Sequence, residues 1–72
     1  MRGRSFLAVL ERAPLCYEVE RQKGSHMLMK SAAGYPDLLF AFHGNANIPG
    51  GLVKRILVGH IGLSEEEALG LL

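Results

Sequence analysis

Apolar positions at the start of the chain fall at helical spacing, and then the period changes. Phe6, Leu10 and Ala13 share one helical face with Leu7 close beside it, so residues 4–13 read as an amphipathic helix stopped by Pro14. From Leu15 to Arg21 the period drops to two. Leu15, Tyr17 and Val19 point one way and Cys16, Glu18 and Glu20 the other, the pattern of a half-buried strand. Residues 22–25 form a turn in which Gly24 is free to take a positive φ, and residues 26–30 supply the second arm of a hairpin. Residues 31–37, broken by Gly34 and Pro36, are a loop, and the unbroken apolar run 38–42 is a third, well-covered strand.

Helical spacing returns after Pro49. Leu52, Val53, Ile56, Leu57 and Ile61 recur along one stripe; Asn45 and Asn47 supply capping oxygens, Pro49 suits the first helical position, and Gly62 is the stop. A last short helix opens at Ser64-Glu65-Glu66-Glu67, a capping box, with Leu63 and Ala68 placed as a hydrophobic staple. The order α-β-β-β-α-α predicts an α+β fold: one domain over residues 1–72, with a three-stranded antiparallel sheet and helices on one face.

Composition narrows the class. The chain is 49% hydrophobic, which argues for a folded domain, and a chain this short buries only about 60% of its unfolded surface, so a partner protein would add materially to its stability. Cys16 is the only cysteine, so no disulfide forms within the chain, which fits a reducing cytoplasm. The longest apolar run is far short of a membrane span, and no signal peptide is visible. Charge is uneven: all eight Lys and Arg lie in residues 1–57 against Glu11, Glu18, Glu20 and Asp37, whereas the remainder holds Glu65, Glu66 and Glu67. A basic body with an acidic tail suits an anionic partner bound to the body, although the net charge of +1 does not imply tight non-specific binding to nucleic acid.

Candidate chemistry concentrates at Arg21-Gln22-Lys23-Gly24-Ser25-His26. Cations beside a titratable imidazole are what phosphodiester cleavage needs, because the cations hold the phosphate while the histidine moves a proton near neutral pH. RNA carries its own nucleophile in the 2′-hydroxyl, so one base suffices to start the reaction. Arg21 and Lys23, with Gly24 and Ser25 of the same turn, are the expected phosphate-binding residues, and Lys30, Lys54 and Arg55 extend the track along the RNA backbone.

Two motifs in order, Gly24-Ser25-His26 and then His43-Gly44-Asn45 leading through Ile48-Pro49-Gly50-Gly51 into a basic helix and Gly62-Leu63-Ser64-Glu65-Glu66-Glu67, resemble the HicA family of bacterial toxins. The resemblance runs from Gly3 to about Leu69. It departs from the family at Arg2, where a Ser or Thr is usual, at Cys16-Tyr17, where a glycine-aromatic pair is usual, and at Met27-Leu28-Met29, where an aromatic or further histidine is common. It implies a fold similar to the double-stranded RNA-binding domain and an mRNA interferase, a metal-independent endoribonuclease with His26 as its catalytic histidine. It further implies no cofactor, messenger RNA as substrate and a HicB-type antitoxin as protein partner, with neither DNA nor membrane engaged by the chain alone.

Other residues take plainer readings. His43 is an accessory substrate contact or simply a strand end; His60 serves the dipole of the helix it closes. The three histidines and one cysteine lack zinc-ligand spacing. A non-catalytic RNA-binding module and a protein acting only through partner binding remain the competing classes, and loss of activity on changing His26 separates the first reading from both.

Overall fold

Helix α1 (Gly3–Glu11) begins where the chain runs closest to another segment. A side chain at Gly3 would collide with the His43 carbonyl oxygen, and the Gly3 and Arg4 amides donate to the Ala46 and Gly44 carbonyls at 2.9 and 3.1 Å. Glycine there lets the first turn dock directly on the segment that follows the sheet. The helix ends at Glu11, short of the expected residue 13, because Arg12 is already extended ahead of Ala13-Pro14. Phe6, Val9 and Leu10 form its buried stripe.

A computed structural model describes all residues 1–72. The sheet is antiparallel in the order β1-β2-β3, with β1 spanning Tyr17–Lys23, β2 His26–Ser31 and β3 Leu38–Phe40. Leu15 is fully buried but precedes β1 rather than belonging to it; its carbonyl accepts a hydrogen bond from the Ser31 hydroxyl. The hairpin turn is tighter than the sequence suggested. Gly24 and Ser25 alone connect paired Lys23 and His26, with Gly24 at φ +61° and no positive φ at Ser25, the pattern of a II′ turn. Strand β3 stops at Phe40 instead of running to Phe42, since Ala41 and Phe42 leave the sheet toward the start of α1. Phe42 packs edge-on against Phe40 with ring centroids 5.4 Å apart, and Phe40 lies 6.1 Å from Phe6.

Helix α2 (Gly50–Lys54) passes without a break into a π-helical segment, Arg55–His60, and α3 spans Glu65–Leu71. Neither Asn45 nor Asn47 caps α2. Their side-chain oxygens accept from Arg4 and from the chain's N-terminal amine, while Pro49 stands one position earlier than expected, as the cap itself. Gly62, at φ +93°, ends the segment, and the Leu63 amide folds back onto the Leu57 carbonyl at 3.0 Å. The capping box is present: Ser64 accepts from the Glu67 amide and Glu67 from the Ser64 amide, both at 3.0 Å. Hydrogen bonding from the Ser64 amide first, and then from the Ser64 side chain, holds the Glu67 carboxyl below its ordinary pKa. Leu63 and Ala68, the expected staple, are both buried.

All helices cover one face of the sheet. Tyr17, Met29, Leu38 and Phe40 from the strands meet Phe6, Val9 and Leu10 of α1 and Val53, Leu57, Ile61 and Ala68 from the C-terminal half. The Tyr17 hydroxyl donates to the Pro36 carbonyl at 2.6 Å. Burial first, then the nearby Asp37 carboxylate and Tyr35, push the Tyr17 phenol above its ordinary pKa, keeping it a neutral donor. No helix is long and apolar enough to cross a membrane.

Candidate active site

The opposite face of the sheet is uncovered, and the hairpin decides which side chains stand on it. Simple alternation from Tyr17 would carry Arg21 and Lys23 to the helix-covered side with Val19. A β-bulge prevents this. Val19 pairs with Met29 and Arg21 with the next residue, Leu28, so Glu20 is the extra residue in the strand. Beyond the bulge the phase is inverted. Arg21 faces outward beside Leu28, and Lys23 faces outward beside its partner His26.

The product is a cleft of about 530 Å³ lined by Arg21, Gln22, Lys23, His26, Leu28 and Leu39. Gln22 closes the turn end, donating from its amide to the Gly24 carbonyl at 3.1 Å. His26, Arg21 and Lys23 are exposed, and none of the three makes a side-chain hydrogen bond or ion pair within the chain. Free cations flanking a free imidazole on an apolar floor leave every polar group available to a ligand. Arg21, Lys23 and the His26 imidazole open onto one and the same cleft. Gly24 and Ser25 act in this site as the turn that brings Lys23 and His26 together.

The remaining expected residues are placed elsewhere. Lys30 shares the outer face with His26 but is ion-paired to Glu20 at 3.6 Å, so the bulge residue occupies the lysine next in line. Lys54 is not brought to the cleft; it pairs with Glu65 at 3.0 Å, tying α2 to α3. His43 is likewise apart: it is exposed in the turn after β3, where its carbonyl accepts from the Ala46 amide at 3.0 Å.

Arg55 lines a second groove, of about 580 Å³, together with Leu39, Ala41, Phe42, Ile56 and His60. Leu39 is common to both depressions and forms the ridge between them. The dipole role expected of His60 gives way to a cross-chain tie, its Nε2–H donating to the Asp37 carbonyl at 2.7 Å. Leu28, Leu39 and His60 are among the lining residues that sequence reasoning missed. The first two are readable in retrospect as the outward residues of β2 and β3, whereas His60 had no signal at a helical period. No group of three or more His, Cys, Asp or Glu comes together in a way that could hold a metal ion. Compared with known proteins, the chain matches no protein-family model, no curated protein and no solved structure.

Proposed function

We propose that the chain is a HicA-like mRNA interferase, a metal-independent endoribonuclease whose catalytic group is His26. One observation carries the reading: the bulge at Glu20 turns Arg21 and Lys23 onto the same uncovered face as His26, against a sequence alternation that would have hidden them. In the proposed step His26 takes the proton of an RNA 2′-hydroxyl as that oxygen attacks the adjacent phosphorus. The P–O5′ bond breaks and O5′ receives a proton from the imidazolium or from water, leaving a 2′,3′-cyclic phosphate and a 5′-hydroxyl. Arg21 and Lys23 hold the phosphate and offset the charge that builds on its oxygens.

His26→Ala tests the assignment. The side chain is exposed at a hairpin end, so its removal leaves the fold intact while removing a proton-transfer contribution on the order of 10² to 10⁴ in rate. Cleavage of RNA and growth inhibition on expression are expected to vanish with an unchanged circular dichroism spectrum. Full activity in that variant would leave only the RNA-binding or partner-binding readings.

The cytoplasmic partner in this proposal is a HicB-type antitoxin. The cleft is open and shallow, so covering it is a sufficient means of inhibition. A complex of the two proteins with His26 still open to solvent would exclude that means.

A further inference from the structure

The π-helical segment Arg55–His60 changes which side chains of its helix can act together. An α-helical turn sets residues three and four apart side by side and residues five apart on different faces, whereas a π-helical turn, closed between residues five apart, brings i and i+5 to one side. Arg55 and His60 are that pair. Both line the groove beneath the free edge of β3, with Phe42 and Ile56 as its apolar wall and Gly59 between Arg55 and His60 in the chain.

Three features of this groove suit a flat, partly polar ring. Phe42 is only half-buried, so part of its ring is available. The His60 imidazole is held in a fixed orientation by the 2.7 Å bond to the Asp37 carbonyl, so ordering it on binding costs little. The Arg55 guanidinium makes no hydrogen bond or ion pair within the chain and is free to stack or to donate. Aromatic rings, imidazoles and guanidinium planes are the surfaces on which proteins stack unpaired bases.

Position supplies the rest. Leu28 of the His26 cleft pairs with Leu39, and Leu39 lines both the cleft and the groove, so the two depressions adjoin across one residue. From the cations on β1 to the β3 edge is two strand spacings, about 10 Å, a span that adjoining nucleotides of one strand can cover. Resting on the proposed reading of His26, we infer that the Arg55–His60 groove receives one unpaired base of the RNA strand whose phosphate sits in the His26 cleft. The chain is thereby directed to single-stranded RNA, since a base held in a duplex must first be unpaired and unstacked to enter the groove.

The test uses the full chain carrying His26→Ala, which binds without cutting, and a short unstructured RNA scanned with a single abasic nucleotide at each position in turn. Affinity is read by fluorescence anisotropy. Loss of one base is expected to weaken binding about five-fold or more at a single position. Adding Arg55→Met, and then His60→Gln, is expected to abolish that positional penalty while leaving the effect of other positions unchanged. Arg55 is changed first because it supports nothing in the fold, so a loosened His60 to Asp37 tie cannot produce the result. The inference is overturned if no position matters, if the penalty persists in both variants, or if a duplex of the same sequence binds as tightly as the single strand. Absence of binding to any RNA by the His26→Ala protein and by the unmodified chain would overturn the endoribonuclease reading itself, a different failure from loss of the groove alone.

Discussion

Lys23 and Lys30 carry the same ammonium on the same face of the sheet but keep different company. Lys23 is unpaired beside His26, whereas Lys30 is engaged by Glu20. The account therefore expects Lys23→Gln to lower kcat/KM about ten-fold or more, as loss of a charge-assisted contact to phosphate does. Lys30→Gln removes only an exposed pair and is expected to stay within about five-fold of the unmodified chain. Steady-state cleavage of one labelled RNA by both variants decides the matter; equal losses would mean that the two lysines share the phosphate and that the cleft has been drawn too narrowly.

At the scale of the elements, the bulge in β1 and the π-helical winding after α2 are the two irregularities, and each lies at a proposed binding surface. Both escape sequence reading for the same reason. Period-two and period-3.6 patterns assume one residue per step, and each irregularity inserts an extra residue without changing the apolar residues that reach the core: Tyr17 and Met29 in the sheet, Val53 and Leu57 in the helix are buried regardless. The order of elements, the hairpin glycine, the Gly62 stop and the Ser64 to Glu67 box were legible because each is fixed by local chemistry. The asparagine caps were misplaced because tertiary partners, Arg4 and the chain's first residue, took their oxygens.

Deleting Glu20 regularises the hairpin and leaves Arg21 opposite Leu28 and Lys23 opposite His26, so cleavage is expected to survive. If β1 were a regular strand in phase with Tyr17, both cations would start on the helix-covered side and the same deletion would bring them beside His26 for the first time, raising cleavage sharply. A folded deletion variant, confirmed by circular dichroism, that cuts RNA far faster than the unmodified chain, or not at all, would contradict the observed register.

For the molecule as a whole, the division of labour between the two faces of one sheet is the organising fact. One face is committed to helices and holds the buried side chains; the other carries His26 and the unpaired cations Arg21 and Lys23 with nothing packed over them. Cations and carboxylates are also separated along the chain, with the three-glutamate run confined to the start of α3 and one of its members spent on Lys54. A small basic face suits recognition of a single phosphate and its neighbours better than broad adhesion to nucleic acid.

The central claim is chemical: the attacking atom belongs to the substrate and the proton is moved by His26. The most direct measurement uses one RNA oligonucleotide in which the nucleotide at the mapped cleavage site carries hydrogen in place of its 2′-hydroxyl, assayed with the unmodified chain in excess EDTA. The account predicts that the all-RNA control is cut and ends in a 2′,3′-cyclic phosphate or its hydrolysis product, while the substituted position is not cut at all. Continued cutting at the deoxy position would show that the nucleophile is not the substrate's own hydroxyl, and activity lost in EDTA and restored by magnesium would show that a metal ion does the work; either result would contradict the role assigned to His26.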